Sequence, residues 1–175
     1  MRILFDMDAR DYDPGGRAFV RPSVRGIIIR EGKVAMVHSR LYDYYKLPGG
    51  GMEPGESQLR TLLREVREEA GLQVLPQSVR EYGLVPRREK SDRVKEYGYF
   101  VQDNFHYLCE AAEAVTDQQL DAYEQREHFT LEWVDPRHAI LVNRTRAHGP
   151  KNPRMLEREA RVLECLLEEG YFKEP

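Results

Sequence analysis

This chain is poor in cysteine, with only Cys109 and Cys165, both set among apolar neighbours. No Cys-x-x-Cys occurs, and His38, His106, His128, His138 and His148 show no pairwise zinc-ligand spacing, so nothing points to zinc and buried free thiols are expected. Basic charge is not in excess either. Lys and Arg total 27 against 30 Asp and Glu, a net charge of −3, which provides no general attraction to nucleic acid or to an anionic membrane. No apolar run approaches the length of a membrane span, and Met1-Arg2-Ile3-Leu4-Phe5-Asp6 reaches an acid too soon for a signal peptide. A cytoplasmic protein is the expectation. There is no internal repeat or low-complexity tract, which excludes a solenoid. The 175 residues suffice for one well-buried core and not for two ordinary domains. One domain over residues 1–175 is expected, with 1–21 as an N-terminal extension and 154–175 as a C-terminal helix.

What the chain does have is concentrated between Gly50 and Leu72. Lys46-Leu47-Pro48-Gly49-Gly50-Gly51-Met52-Glu53-Pro54-Gly55 is rich in turn residues, and its glycines allow the backbone to approach a ligand closely. Helical periodicity follows: Leu59, Leu62, Leu63, Val66 and Ala70 form one apolar stripe, and Gly71 stands where a C-cap belongs. Glu65, Glu68 and Glu69 are spaced i, i+3, i+4, which makes their carboxylates neighbours that repel one another by a few tenths of a kcal/mol per pair. Hard oxygen donors gathered on a rigid helix beside a flexible glycine loop are what Mg²⁺ or Mn²⁺ requires. A solvated helix face would explain the acids but neither the glycine loop nor its register with them.

Gly50, Glu56, Arg64, Glu65, Val66, Glu68, Glu69, Gly71 and Leu72 fill every specified position of the Nudix box, and on these residues the chain resembles the Nudix hydrolases. The resemblance implies an α/β/α sandwich (α+β class) around a mixed, curved sheet, and metal-dependent hydrolysis of a nucleoside diphosphate linked to another group. It implies Glu65, Glu68, Glu69 and the Gly50 carbonyl as ligands of Mg²⁺, with Mn²⁺ as a substitute, and Arg64 as the residue orienting the glutamates. Glu56 would pair with Arg64 or touch a further metal. The general base would be Glu68 or Glu69, or a residue outside the box; there Glu127, six residues before Trp133, is the candidate and Glu132 the weaker one. His128 beside it is the one histidine to watch.

Substrate readers would come from outside the box. Candidates are Arg25, Arg30, His38 and Arg40, the tyrosines Tyr42, Tyr44 and Tyr45, and the alternating faces of Phe100 to Tyr107; Tyr45 or Phe105 would either stack on a base or pack in the core. The partner expected is a small-molecule nucleotide or nucleotide conjugate, with neither a membrane nor nucleic acid indicated.

Around the box, Val24–Arg30 and Lys33–His38 read as a hairpin turning at Glu31-Gly32, and Tyr44–Pro48 as a short strand into the glycine loop. Ser78–Val85 and Glu96–Cys109 read as strands joined by a loop, Pro86–Lys95, whose Arg87, Arg88, Lys90, Arg93 and Lys95 are either solvated or touch phosphates or a partner subunit. Asp117–Arg126 reads as a short helix or ordered loop, and Met155–Glu169 as a helix with Leu156, Ala160, Leu163 and Leu167 on its stripe. Ile3–Asp8 has the Asp-x-Asp of a haloacid-dehalogenase-type phosphatase, but Arg10 breaks that pattern, and Arg17 breaks an EF-hand loop. An N-terminal strand with an acidic turn is expected, covering the sheet or contributing to a homodimer. Two other functions fit a Nudix-like fold: a non-hydrolytic ligand-binding regulator, which would not need the glutamates, and an isomerase of isoprenoid diphosphates, which would want a cysteine near the box.

Overall fold

The computed structural model describes residues 1–91 and 97–172. Arg93, Lys95 and Glu96, named above, lie outside the described residues. In chain order the strands and helices are β1 (Met7–Asp8), β2 (Ala18–Val20), β3 (Ser23–Ile27), β4 (Ile29–Arg30), β5 (Lys33–Ser39), β6 (Tyr44–Lys46), β7 (Gly49–Gly51), α1 (Gln58–Ala70), β8 (Leu72–Val74), β9 (Arg80–Lys90), β10 (Tyr99–Leu108), β11 (Ala111–Val115), α2 (Ala122–Arg126), β12 (Phe129–Val134), α3 (Pro136–Thr145) and α4 (Pro153–Glu168).

The main sheet is mixed and runs β1-β9-β10-β3-β7, with β2 alongside the first half of β10; a second sheet runs β12-β5-β4 with β6 on β5, and β8 pairs with β11. The chain passes between the two large sheets at Ile28. The expected hairpin closes there: Ile29 pairs with Val34 and Arg30 with Lys33, across a turn in which both Glu31 (φ 51°) and Gly32 (φ 70°) are left-handed. Two positive φ values in a two-residue turn match the twist of the flanking strands.

Helices cover both faces. On one side α1 presses Leu62, Val66 and Ala70 onto Val24, Ile28, Ala35 and Leu72. On the other, Ala139 and Val142 of α3 and Val162, Leu163 and Leu166 of α4 pack on Ile27, Val34, Met36 and Leu47. The alternation of Val34 and Met36 against Ala35 is the strand period dividing one strand between two cores. No helix among the described residues is long and apolar enough to cross a membrane.

Both predicted stripes need adjustment. Leu59 shares the helical angle of the buried residues but sits in the first turn, 43 % exposed, so burial of the apolar stripe begins at Leu62. Leu62→Ala should therefore cost about 3 kcal/mol and Leu59→Ala less than about 0.5 kcal/mol, read as midpoints of urea unfolding; equal losses would refute this packing. In α4 the buried leucines are Leu156, Leu163 and Leu166, not Leu167.

The segment Pro86–Lys90, expected as a loop, is instead the second half of β9. It pairs with Tyr99–Asp103 on one side, and Arg87 and Arg88 pair with Met7 and Asp8 on the other. Its arginines are tolerated because both find a counter-charge: Arg87 pairs with Glu89, and Arg88 with Asp6 at 2.7 Å. The N-terminal segment covers the sheet edge. The Leu4 amide donates to the Leu84 carbonyl at 2.9 Å, and Leu4 and Phe5 pack on the α4-side core.

Candidate active site

The glycine loop is built by β7, which lies antiparallel to β3 with Gly49, Gly50 and Gly51 opposite Arg25, Val24 and Ser23. At Gly49 φ is 143°, and a Cβ would collide with the Val24 carbonyl; only glycine fits. A Cβ at Gly50 would collide with the Glu65 carboxylate. The missing side chain is what lets the acid lie against the loop.

Ser57 caps α1 by accepting from the Arg60 amide, and Gly71 ends it in the left-handed conformation (φ 66°). This fixes the rotation of the helix, with Glu65 and Glu69 turned to the loop. Arg64 is the hub of the acids. Its Nε and Nη2 hold both oxygens of Glu56 (2.9 and 2.8 Å), Nη1 reaches Glu65 (2.6 Å) and Glu68 (3.3 Å), and Nη2 also donates to the Gly51 carbonyl at 3.3 Å. Of the two roles open for Glu56, the structure shows pairing with Arg64, which holds its carboxyl down at about 2. Glu65 is pushed the other way, first by burial and then by the charge of Glu69.

Glu69 is 2 % exposed. One oxygen accepts from the Gly49 amide at 2.9 Å and the other pairs with buried Lys46, so the helix and the loop are tied through this one carboxylate. Against it stands Glu124, absent from the sequence-based candidates. The turn of α2 places it there: Asp121 and Glu124 form a capping box in which Glu124 accepts from the Asp121 amide at 2.9 Å. Burial, then the neighbouring charge of Glu69, lifts its carboxyl to about 7.

These side chains line a cleft of about 410 Å³ with Glu53, Glu65, Glu68, Glu69, Asp121 and Glu124 as its acids and Arg21 and Arg64 as its cations. Its donor set fits a hard divalent cation: carboxylates concentrated against their own repulsion. Among the described residues no three acidic or imidazole side chains converge on a common centre; Glu65 and Glu68 lie on Arg64, and Glu69 on Lys46.

The residues expected outside the box are placed elsewhere. Glu127 is buried but does not line the cleft. It accepts from Tyr44 at 2.8 Å and Ser39 at 3.1 Å and pairs with Lys151. Glu132 bonds His38 (2.8 Å) and Tyr45 (2.9 Å) on the face turned to α3 and α4. Tyr45 is buried there, stacked on His38 at 4.4 Å, and Tyr44 is buried as well. Arg25 lies buried behind the loop, donating to the Leu47 carbonyl at 3.2 Å and to that of Gly49. Arg30 lies over the Trp133 ring, and Phe105 and Tyr107 pack on the α1-side core. Arg40 is exposed in the turn after β5, as is His128 before β12. Besides Glu124, sequence reasoning missed Arg21, Gln119 and Asp121 of the cleft wall; the Asp121-x-x-Glu124 spacing marks a helix start and carries no sign of the site.

The model of the NUDIX domain matches residues 20–158. Over 121 residues, 67 % of this chain and 77 % of the relative, the sequence is 31 % identical to the CTP pyrophosphohydrolase of Escherichia coli (strain K12). The fold resembles the solution structure of the E. coli ORF135 protein (TM-score 0.54, 21 % identity, 86 % of this chain and 93 % of the other). It also resembles a NUDIX hydrolase from Nitrosomonas europaea (TM-score 0.58, 16 % identity, 84 % and 90 %). With an unbroken box, a glutamate-lined cleft at its centre and the domain matched over most of its length, the chain belongs to the Nudix family as a pyrophosphohydrolase.

Proposed function

We propose that the chain hydrolyses a pyrophosphate bond in a nucleoside diphosphate linked to another group, with Mg²⁺ as the natural cation and Mn²⁺ as a substitute. The observation that carries this reading is the pairing of Glu69 with the Gly49 amide, which sets the acid helix and the glycine loop as two walls of one anion-handling cleft. Glu65, Glu68, Glu69 and the Gly50 carbonyl would hold the cation. When bound, it would neutralise phosphate oxygens and lower the pKa of water. Arg64 keeps the glutamates in place through its bonds to Glu65 and Glu68.

Glu124 is the proton acceptor we favour. It lines the cleft beside Glu69, and in the cation-free chain burial and the charge of Glu69 push its carboxyl up to about 7. Glu127 does not line the cleft and pairs with Lys151 instead. The attacking water yields its proton to Glu124, its oxygen bonds to phosphorus, and the bridging P–O bond breaks. An isomerase reading is disfavoured by the cysteines: Cys109 is buried in the α1-side core and Cys165 packs on the opposite one.

A hydrolysis screen across CTP, the other nucleoside triphosphates, ADP-ribose and nucleotide sugars tests the proposal, run with Mg²⁺, with Mn²⁺ and with chelator, using Glu69→Gln as the blank. CTP heads the panel because of the 31 % identical relative. Cation-dependent turnover that the blank lacks is expected. Turnover surviving thorough chelation, or a folded protein silent on the whole panel, would overturn it.

A further inference from the structure

Behind the glycine loop lies a set of buried charges that the chemistry above does not use. Arg158 and Glu159, successive residues in the middle of α4, are 1 % and 0 % exposed. Arg158 donates to one oxygen of Glu159 from Nε (3.1 Å) and Nη2 (2.5 Å). The other oxygen of Glu159 accepts the Leu47 amide at 2.9 Å. From the opposite side, the Arg25 guanidinium donates to the carbonyls of Leu47 and Gly49. The backbone entering the cleft is thus gripped on its N–H and C=O sides by two charged side chains, one from β3 and one from the far end of the chain. Arg158 is anchored in turn to Asn104 Oδ1 at 2.5 Å, which also accepts from Ser23 at 2.7 Å.

Such a network is a poor choice for stability alone. Burying ions is costly, and apolar residues of similar volume usually serve a core as well or better. A single buried amide at Leu47 needs an acceptor, but not a full charge with two guanidinium groups around it. His106 adds no further charge, since burial keeps its ring neutral near neutral pH. Two guanidiniums and one carboxylate leave a net positive charge behind the acids, and Arg25 favours the ionised form of Glu65.

We infer that Glu159 and Arg25 are positioning residues that hold the Leu47–Gly49 backbone from behind, so that the Gly49 amide meets Glu69 and Gly50 stays against Glu65, coupling α4 to the cation-binding face. This rests on the reading of those acids as cation ligands. Groups that orient ligands without touching the cation are typically worth about 10- to 100-fold in affinity.

The test measures Mn²⁺ binding by electron paramagnetic resonance in the absence of substrate, together with thermal unfolding, for the full chain and for R158M/E159L and Arg25→Met. R158M/E159L, which also deprives the Leu47 amide of its acceptor, is expected to melt somewhat lower than wild type and to bind Mn²⁺ about tenfold more weakly. Arg25→Met is expected to weaken Mn²⁺ binding to a similar degree and decides the matter should the double variant fail to fold. Wild-type affinity in the folded variants would overturn the coupling while leaving the hydrolase reading intact. A wild-type chain that binds no Mn²⁺ would sink both.

Discussion

Glu69→Gln is expected to lower kcat at saturating Mg²⁺ by about 10³-fold or more with the fold retained. The size follows from where Glu69 sits. It is bonded to both the glycine loop and a buried lysine, so a glutamine loses a ligand charge and weakens the tie between the two walls. Repulsion among the helix acids, taken alone, would make removal of one raise metal-free stability. Tertiary structure changes that expectation. Lys46 is 5 % exposed, and stripping its partner leaves a buried cation; breaking such a pair costs about 3–5 kcal/mol. Relief from Glu65 and Glu124 offsets only part of this, so the metal-free variant should unfold at lower urea than wild type. Glu68→Gln is the contrast: its side chain is 37 % exposed, so activity should fall while stability holds. A Glu69→Gln enzyme within tenfold of wild-type kcat would remove the assignment.

Glu124→Gln is expected to lower kcat about 10²- to 10⁴-fold at pH 7.5 with KM little changed, and to abolish the acidic limb of the pH–rate profile. The same group makes metal-free stability depend on pH. Its carboxyl titrates at about 7 when folded against a model value of 4.5, so between those values the folded chain holds a proton that the unfolded chain releases. The contribution is fully present below 4.5 and is lost as pH rises through 7. In chelator, wild type should lose on the order of 2 to 3 kcal/mol relative to Glu124→Gln between pH 4.5 and pH 7.5. Denaturation curves at the two pH values decide it. Parallel behaviour of the two proteins would mean that Glu124 does not share the pocket of Glu69, and its role as base would go with it.

The candidate site was legible in sequence wherever its geometry is local. The spacing of Glu65, Glu68 and Glu69, the cap at Gly71 and the turn at Glu31-Gly32 depend on one helix or one hairpin, whose periods are known before any packing occurs. Legibility ended where a side chain's neighbour is remote. Glu127 sits close to the cleft in sequence order, since Glu124 of the same turn is in it. At the C-cap of α2, however, it faces Lys151, and only a chain already folded brings Lys151 there. Pro86–Lys90 reads as a loop because strands seldom carry so much charge. Its arginines are acceptable in β9 because Glu89, two residues along the strand, meets Arg87, and Asp6, beside the neighbouring β1, meets Arg88.

From the sequence by itself came the chemistry: a glycine loop in register with an acid-bearing helix, and therefore the family, the expected cation and the class of bond attacked. The tertiary structure decided the electrostatics. It paired Glu56 with Arg64, set Lys46 and Glu124 against Glu69, and drew Arg25 and Glu159 behind the loop. The division has one physical cause: helix and turn geometry follow from neighbours a few residues apart, whereas the energy of a buried charge depends on whichever charges the completed fold brings within a few ångströms.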